Sequence, residues 1–196
     1  MKKCGDYMVQ QKRDKVVEAA YKVMAEKGYE KASIKDIANE AGITPGLIHY
    51  YFRNKEEILT DLLLASSQQY TQDMQRLQSS VPSQYLAKAA LNEPKERVEG
   101  QPDWYKLRYE LFALGLRNPQ ISDSVNALLE NARTGIEKIL HKVAGSTGEE
   151  AASVAAIMLA CFDGLALQKL LNPEFDLDRA YLELEKMVRT TYTMTE

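Results

Sequence analysis

The sequence predicts an all-α protein of about nine helices, in which a small three-helix domain precedes a larger helical domain. Apolar residues recur three and four positions apart along most of the chain, as they do on one face of a helix. No segment alternates apolar and polar residues in the way that a half-buried strand does. A helix-turn-helix pattern ends near Lys55, so we predict domains at residues 1–55 and 56–196.

Capping residues define the two short helices of this pattern. Ser33 is a good N-cap for the first helix, and Gly42 can adopt the left-handed conformation that ends helices. Thr44 is a second N-cap, and Pro45 suits the first position of the helix that follows it. The spacing therefore predicts two short helices joined by a tight turn.

The outward face of the second short helix has a distinctive composition. Ile48 and Phe52 lie four residues apart and anchor the helix inward, which leaves Gly46, His49 and Tyr50 on the other side. This face is short, polar or aromatic, and free of acidic residues, as expected where a helix enters the major groove of DNA. An ordinary corner between two packed helices is the alternative interpretation.

Three motifs in this region match a known family pattern: K-G-Y-E-K-A-S-I-K-D-I-A at 27–38, A-G-I-T at 41–44 and G-L-I-H-Y-Y-F-R-N-K-E-E-I-L at 46–59. They resemble the DNA-binding domain of the TetR (tetracycline repressor) family of bacterial transcriptional regulators. Ile43 replaces the usual valine, and His49 stands where tyrosine is common. Beyond this region the chain resembles the family in its length and helical content.

The resemblance implies a ligand-responsive homodimer that binds a palindromic operator in double-stranded DNA, most simply a repressor that a small-molecule effector releases. In the family, a lysine at the position of Lys55 binds a DNA phosphate. We expect nine residues to contact DNA: Ser33, Ile34, Thr44, Pro45, Gly46, His49, Tyr50, Tyr51 and Lys55. The alternative is an all-helical small-molecule-binding or interaction module without a DNA-binding role.

The distribution of charge favours the DNA-binding interpretation. Residues 1–55 contain 11 Lys and Arg against 7 Asp and Glu, a net +4, whereas the remainder contains 14 against 21, a net −7. A basic end on an acidic body suits a protein that presents one end to a polyanion. Chance scatter of surface charge is the alternative.

The other predicted helices follow in chain order. They span approximately residues 11–27, 55–77, 84–91, 103–116, 120–143 and 149–171. The last predicted helix starts at Asp176 or Asp178 and ends near residues 187–192. We expect residues 1–10 to be disordered, with Lys2, Lys3, Lys12 and Arg13 near enough to touch the DNA backbone, or else in a solvated tail. Residues 79–103 contain Pro82, Pro94, Gly100 and Pro102 and are therefore predicted to be the least regular segment.

The last two predicted helices carry a second functional signal. The helix at 149–171 is rich in small and apolar residues such as Ala155, and the helix that follows has Leu184 in an apolar stripe. Small residues allow helices to approach closely, so these two helices could form half of a four-helix dimer interface. A buried core helix would look the same in sequence, but in the family the last two helices pair two subunits.

Aromatic and sulfur-containing residues suggest an effector pocket in the second domain, where the resemblance implies a cavity. The predicted lining residues are Tyr70, Met74, Trp104, Tyr105, Arg108, Phe112 and Phe162. Such side chains bury much apolar area, and Arg108 would bind an acidic or carbonyl group. We therefore expect a largely apolar effector with one acidic group, whereas simple core packing is the alternative.

The sequence contains none of the motifs that would indicate an enzyme, a metal site or a bound cofactor. We find no C-x-x-C, H-E-x-x-H, G-x-S-x-G or glycine-rich phosphate loop, and the chain has only two histidines. The start of the chain lacks the apolar stretch of a signal peptide, and its longest apolar run is interrupted by Asp163. We therefore expect a cytoplasmic protein that is not an enzyme, needs no cofactor and has no membrane partner.

Overall fold

The computed structural model describes the backbone of residues 2–191 and the side chains of residues 9–190. Within these residues the chain forms nine helices and no strand, in agreement with the predicted all-α class. The helices are α1 (Lys2–Lys27), α2 (Ile34–Ala41), α3 (Pro45–Tyr51), α4 (Lys55–Ser80), α5 (Ser83–Gly100), α6 (Pro102–Gly115), α7 (Pro119–Ala144), α8 (Gly148–Leu171) and α9 (Leu177–Thr191). The end of α9 was predicted near residues 187–192, and residue 192 lies outside the described part.

Two predictions about regularity are wrong. The disorder predicted for residues 1–10 is replaced by helix from Lys2 onward, because this stretch contains no proline to break the helix. The short helix predicted at 84–91 extends to Gly100 as α5 and passes through Pro94. Pro94 is buried with Leu86, and this packing offsets the hydrogen bond that a proline removes from a helix.

The chain divides into two compact units that differ from the predicted domains. Unit 1 comprises residues 1–66 and 106–126, and unit 2 comprises residues 67–105 and 127–196. Helix α4 therefore contains residues of both units. The predicted boundary after Lys55 stays a prediction.

Unit 1 is built around the first three helices. Helix α2 packs against both α1 and α3. Their inward faces form a core that includes the start of α4, with these fully buried side chains: Val16, Ala20, Met24, Ile37, Ala38, Ile48, Phe52, Ile58 and Leu59. Ala38 has no exposed surface, as expected for the small residue beneath a steep helix crossing.

Unit 2 is an assembly of long helices in which α5 packs against both α8 and α9. Met74, Leu86 and Ile139 form one buried cluster of its core. The rings of Phe162 and Tyr181 stack between α8 and α9, with centroids 6.0 Å apart and an interplanar angle of 5°. Unit 2 therefore has its own apolar interior.

One helix of the described part, α8, is long and apolar enough to cross a membrane by length and composition alone. Its most apolar 18-residue stretch has a mean hydropathy of 1.7, although Asp163 interrupts the apolar run of this helix. Core helices of soluble proteins pass the same test. Only 22% of this stretch is buried within the chain, so most of the apolar helix is not covered by other parts of the same chain.

Candidate nucleic-acid interface and effector cavity

Local hydrogen bonds fix the start of α2. The Ser33 hydroxyl accepts a bond from the Asp36 N–H at 3.1 Å, and the Asp36 carboxylate accepts one from the Ser33 N–H at 3.1 Å. The ammonium of Lys27 donates to the same carboxylate at 2.8 Å. The bond from Lys27, followed by those from Ser33, lowers the pKa of Asp36 below its usual range. This capping box orients α2 at the entrance to the helix-turn-helix.

The turn between α2 and α3 follows the predicted chemistry. Gly42 has φ of 63°, a left-handed conformation that costs glycine nothing. The Thr44 hydroxyl accepts a hydrogen bond from the Leu47 N–H at 3.3 Å, and Pro45 occupies the first turn of α3. Ile48 and Phe52 are both buried, so two apolar side chains one turn apart anchor α3.

The opposite side of α3 faces solvent. Tyr50 is 75% exposed, and the side chains of Pro45 and His49 are also exposed, as is Gly46. Tyr51 is half-buried, and its ring packs edge-on against that of Tyr50 at 5.0 Å. Pro45, Gly46, His49 and Tyr50 thus share one exposed face of α3, and Tyr51 lies at its flank. Ser33 and Thr44 are the N-caps of α2 and α3, and Ile34 is the first residue of α2.

Lys55 is placed differently from the other predicted contacts. Its ammonium donates to the carbonyl oxygens of Tyr29, Ala32 and Glu30 at 2.6, 3.0 and 3.4 Å. It also lies 4.1 Å from the centre of the Tyr29 ring. The N–H of Tyr29 in turn donates to the Glu110 carboxylate at 2.5 Å. Lys55 therefore holds the loop between α1 and α2, and its predicted role at a phosphate stays a prediction.

Arg13 has a positioning role that the sequence analysis missed. Its guanidinium donates to the carbonyl oxygen of Tyr51 and to the carboxylate of Asp61, both at 2.6 Å. The same group lies 4.3 Å from the centre of the Phe52 ring. Arg13 thus ties the end of α3 to α1 and α4, whereas the sequence suggested that it touches DNA. Nothing in its sequence neighbourhood indicated these distant partners.

An apolar cavity of about 30 Å³ lies within unit 2. Tyr70 provides the one polar side chain in its wall, and no charged residue lines it. The walls come from five helices and consist of Tyr70, Met74, Ala87, Ala90, Leu91, Ile136, Ile139, Leu140, Val143, Met158, Phe162 and Val188. Three residues predicted to line an effector pocket, Tyr70, Met74 and Phe162, therefore share one cavity.

The other four predicted pocket residues lie elsewhere. Tyr105 is buried in unit 2, where its hydroxyl donates to the Pro94 carbonyl oxygen at 3.3 Å, and Trp104 packs edge-on against it. Arg108 and Phe112 belong to unit 1, where the guanidinium of Arg108 lies 4.6 Å from the Phe112 ring centre. Neither pair lines the apolar cavity, and the effector contacts assigned to all seven residues stay predictions.

A second cavity of about 80 Å³ in unit 2 is more polar. It shares Tyr70 and Met74 with the apolar cavity, so these two side chains separate the two spaces. Lys138 and Asn131 from α7 line its other side. Among the described residues, no cluster of histidine, cysteine and acidic side chains could hold a metal ion.

The chain combines an exposed, acid-free helix on a helix-turn-helix with a separate cavity in a helical unit. These features are typical of DNA-binding transcriptional regulators. Residues 16–62 match the family model of bacterial regulatory proteins of the tetR family. Residues 87–192 match the model of the C-terminal part of BetI-type transcriptional repressors. The chain belongs to the TetR family of transcriptional regulators.

Individual relatives and solved structures are similar over different lengths. The fatty acid metabolism regulator protein of Bacillus subtilis is 35% identical over 86 residues, which cover 42% of this chain and 43% of the relative. The chain thus spans less than half of that relative's length. The regulator BetI of Yersinia pestis is 28% identical over 178 residues, which cover 83% of each protein.

Solved structures support the fold. FadR of Bacillus subtilis in complex with stearoyl-CoA superposes with a TM-score of 0.71 at 21% identity, covering 88% of this chain and 95% of FadR. A putative regulator from Saccharomonospora viridis in complex with choline gives a TM-score of 0.74 at 22% identity, covering 95% of this chain and all of that one.

Proposed function

We propose that this chain is a cytoplasmic transcriptional repressor that binds a palindromic operator as a homodimer and is released by a small-molecule effector. The observation that carries the proposal is the exposed face of α3. Gly46, His49 and Tyr50 present an exposed, acid-free surface above a buried anchor, so this helix can enter a major groove without electrostatic repulsion from phosphates.

An uncovered apolar face on α8 supports the homodimer. The buried side of α8 consists of Ala151, Ala155, Met158, Phe162 and Ala166, which pack within unit 2. Its opposite side exposes Ile157 by 63%, Leu167 by 40% and Leu171 by 77%. Ala160 and Gly164 lie between Ile157 and Leu167 on this side, and their small size allows close approach of another helix. The same face of a second subunit could pack against it about a two-fold axis and so bury these apolar side chains.

Effector control is supported by the position of α4 in the chain. Its first residue, Lys55, holds the loop that precedes α2, whereas Tyr70 and Met74 line the cavity in unit 2. An effector that displaces Tyr70 and Met74 therefore acts on α4, the same helix whose Lys55 supports the helix-turn-helix. The effector shifts the equilibrium only by the difference between its affinities for the DNA-competent and DNA-incompetent states.

The relatives support a small-molecule effector without fixing its class. One solved neighbour contains stearoyl-CoA, which is anionic with a long apolar chain, and another contains choline, which is a compact cation. The molecules bound in these two structures differ in both charge and size. The chemistry of this chain's own unit 2 must therefore decide between such classes.

The proposal is tested by selecting binding sites from random duplex DNA with the purified protein. We expect a palindromic sequence, a two-to-one ratio of chains to duplex, and an affinity that falls steeply with salt. An all-helical module without a DNA-binding role is the second candidate. It would give no enriched sequence and only weak, unselective retention at low salt, and this result would reject the repressor.

A further inference from the structure

An ion pair on α5 lies against two aromatic rings of unit 2. The guanidinium of Arg97 donates to the carboxylate of Glu93, one helical turn earlier. The central carbon of this guanidinium lies 4.5 Å from the ring centre of Tyr70 and 5.4 Å from that of Trp104. The side chains of Arg97 and Glu93 are only 12% and 21% exposed. The cation is therefore held by two ring faces and one carboxylate, largely shielded from water.

The carboxylate is the poorly satisfied member of this pair. The second oxygen of Glu93, Oε2, is buried and has no hydrogen-bond partner. A buried acceptor without a partner costs free energy, and a buried charged acceptor costs more. Burial also raises the pKa of Glu93 despite the neighbouring Arg97. Glu93 can therefore leave this position at a lower cost than Arg97 can.

The ion pair adjoins the apolar cavity through two residues. Tyr70 lines the cavity and also lies over Arg97. Ala90 lines the cavity and precedes Glu93 by three residues on α5, which places both on one side of the helix. The cavity wall itself carries no charged side chain. Neither Arg97 nor Glu93 lines the cavity, which at about 30 Å³ is smaller than an alkyl chain, so a ligand that entered it would have to displace Tyr70, the ring that lies over Arg97. Apolar walls next to one shielded guanidinium suit a molecule with an apolar body and an acidic end.

We propose that the effector is an amphipathic carboxylate whose apolar chain enters this cavity by displacing Tyr70 and Met74 from its wall, and whose carboxylate binds Arg97 in place of Glu93. The inference rests on the proposed function, because it names the chemistry of the effector. Glu93 is then an internal substitute for the effector's acidic group, and it keeps Arg97 paired in the effector-free state.

A cationic effector is less well matched to the same residues. A cationic head group would have to replace Arg97 over the rings of Tyr70 and Trp104 and also as the partner of the Glu93 carboxylate. This exchange would leave the guanidinium of Arg97 without a partner in a shielded environment, whereas a carboxylate displaces only Glu93. The observed contacts therefore favour the anion.

The test uses three probes that share one alkyl chain: decanoate, decan-1-ol and decyltrimethylammonium. Binding to the full-length protein is followed by calorimetry and by the fluorescence of Trp104, which is the only tryptophan in the sequence. The variants are Arg97→Gln and Glu93→Gln. Lys138→Gln is the matched control, because Lys138 is the cation that lines the neighbouring polar cavity.

The two variants should change decanoate binding in opposite directions. Arg97→Gln should weaken decanoate binding roughly tenfold to a hundredfold, because it removes a charge-assisted contact. Glu93→Gln should strengthen it by roughly threefold to tenfold, because it removes the competing carboxylate. Decan-1-ol should bind all variants within a factor of about two, and Lys138→Gln should behave like the parent.

Several outcomes would overturn the inference. They are a parent protein that binds none of the probes or prefers decyltrimethylammonium, loss of decanoate binding in Lys138→Gln, and Arg97 and Glu93 variants that bind decanoate like the parent. Release of the selected operator is measured separately by fluorescence anisotropy. If decanoate binds through Arg97 but does not release the operator, the site is supported and its role as the effector site is rejected. If a ligand of another class releases the operator, the carboxylate site is rejected and the proposed ligand-responsive repressor stands.

Discussion

The ammonium of Lys55 lies 2.6 Å from the carbonyl oxygen of Tyr29 and 4.1 Å from the centre of its ring. The ammonium also donates to two further carbonyl oxygens of the same loop, those of Ala32 and Glu30. An ammonium has three donors, so the loop that precedes α2 uses the full hydrogen-bonding capacity of this lysine. The first turn of α4 and the entrance to the helix-turn-helix are therefore held together by one side chain.

Replacing Lys55 distinguishes this positioning role from a phosphate contact. Lys55→Gln should lower the free energy of unfolding by about 1–3 kcal/mol, because it removes charge-assisted bonds to shielded carbonyl groups. Urea unfolding measures this loss, and the exposed Lys31 of the same loop provides the control Lys31→Gln. A variant with unchanged stability, but with a salt dependence of DNA binding reduced by one phosphate, would instead support the role inferred from the family.

Replacing Tyr50 tests whether the exposed face of α3 reads DNA, without disturbing the core. It is 75% exposed, so Tyr50→Ala should leave the melting temperature nearly unchanged. Binding to the selected operator should weaken by about 1–3 kcal/mol, because a side chain on the exposed face of α3 is lost from the groove. Electrophoretic mobility shift with operator and with unrelated duplex measures the change. Tyr85→Ala, at a tyrosine 59% exposed in unit 2, is the control. Equal affinity of Tyr50→Ala and parent for the operator would show that this face does not read DNA.

The helix-turn-helix could be predicted from sequence because its signals are local. Ser33, Gly42 and Thr44 act within four residues of themselves, and the structure has the caps and the turn that they predict. The contacts of Lys55, by contrast, reach residues 23 to 26 positions away, and no local pattern encodes such partners. Continuation of α5 through Pro94 depends likewise on packing by distant helices, which overrides the local preference of proline.

The apolar cavity of unit 2 was predicted only in part for the same reason. Composition identified aromatic and sulfur-containing residues, and Met74 and Phe162 do meet in one cavity. Composition cannot tell which arginine lies beside that cavity. The sequence favoured Arg108, which stacks on Phe112 in unit 1, whereas Arg97 lies over Tyr70 in unit 2. Only the three-dimensional arrangement distinguishes these two residues.

A charged residue on the exposed side of α8 should prevent dimerisation. Ile157 is 63% exposed in the single chain, so Ile157→Lys keeps the helix and its core contacts but buries a charge in any symmetric interface. Light scattering after size exclusion should give a folded monomer. Leu116→Lys, at a leucine 89% exposed in unit 1, should remain a dimer. Ala155 and Leu184 are poorer positions for this test, because both are already buried within unit 2. An Ile157→Lys protein that stays dimeric would exclude this face.

The ion pair between Lys27 and Asp36 should make the stability of unit 1 depend on pH. The folded pKa of Asp36 is lowered from 3.8, so its contribution is present above that pH and is lost as pH falls through the folded pKa. The folded pKa of Lys27 is raised from 10.5, so the same contact is lost only as pH rises beyond that value. Asp36→Asn should therefore have a lower melting temperature than the parent at neutral pH.

This difference in melting temperature should shrink as pH is lowered below 3.8, where protonation progressively removes the ion pair from the parent as well. Circular dichroism melts across the acid range measure it. Lys27→Gln should reproduce part of the loss, and the double variant should lose less than the sum of the two, because both changes remove one contact. A difference that stays constant as Asp36 is titrated would mean that the side chain acts only through its bonds to Ser33 as a neutral cap.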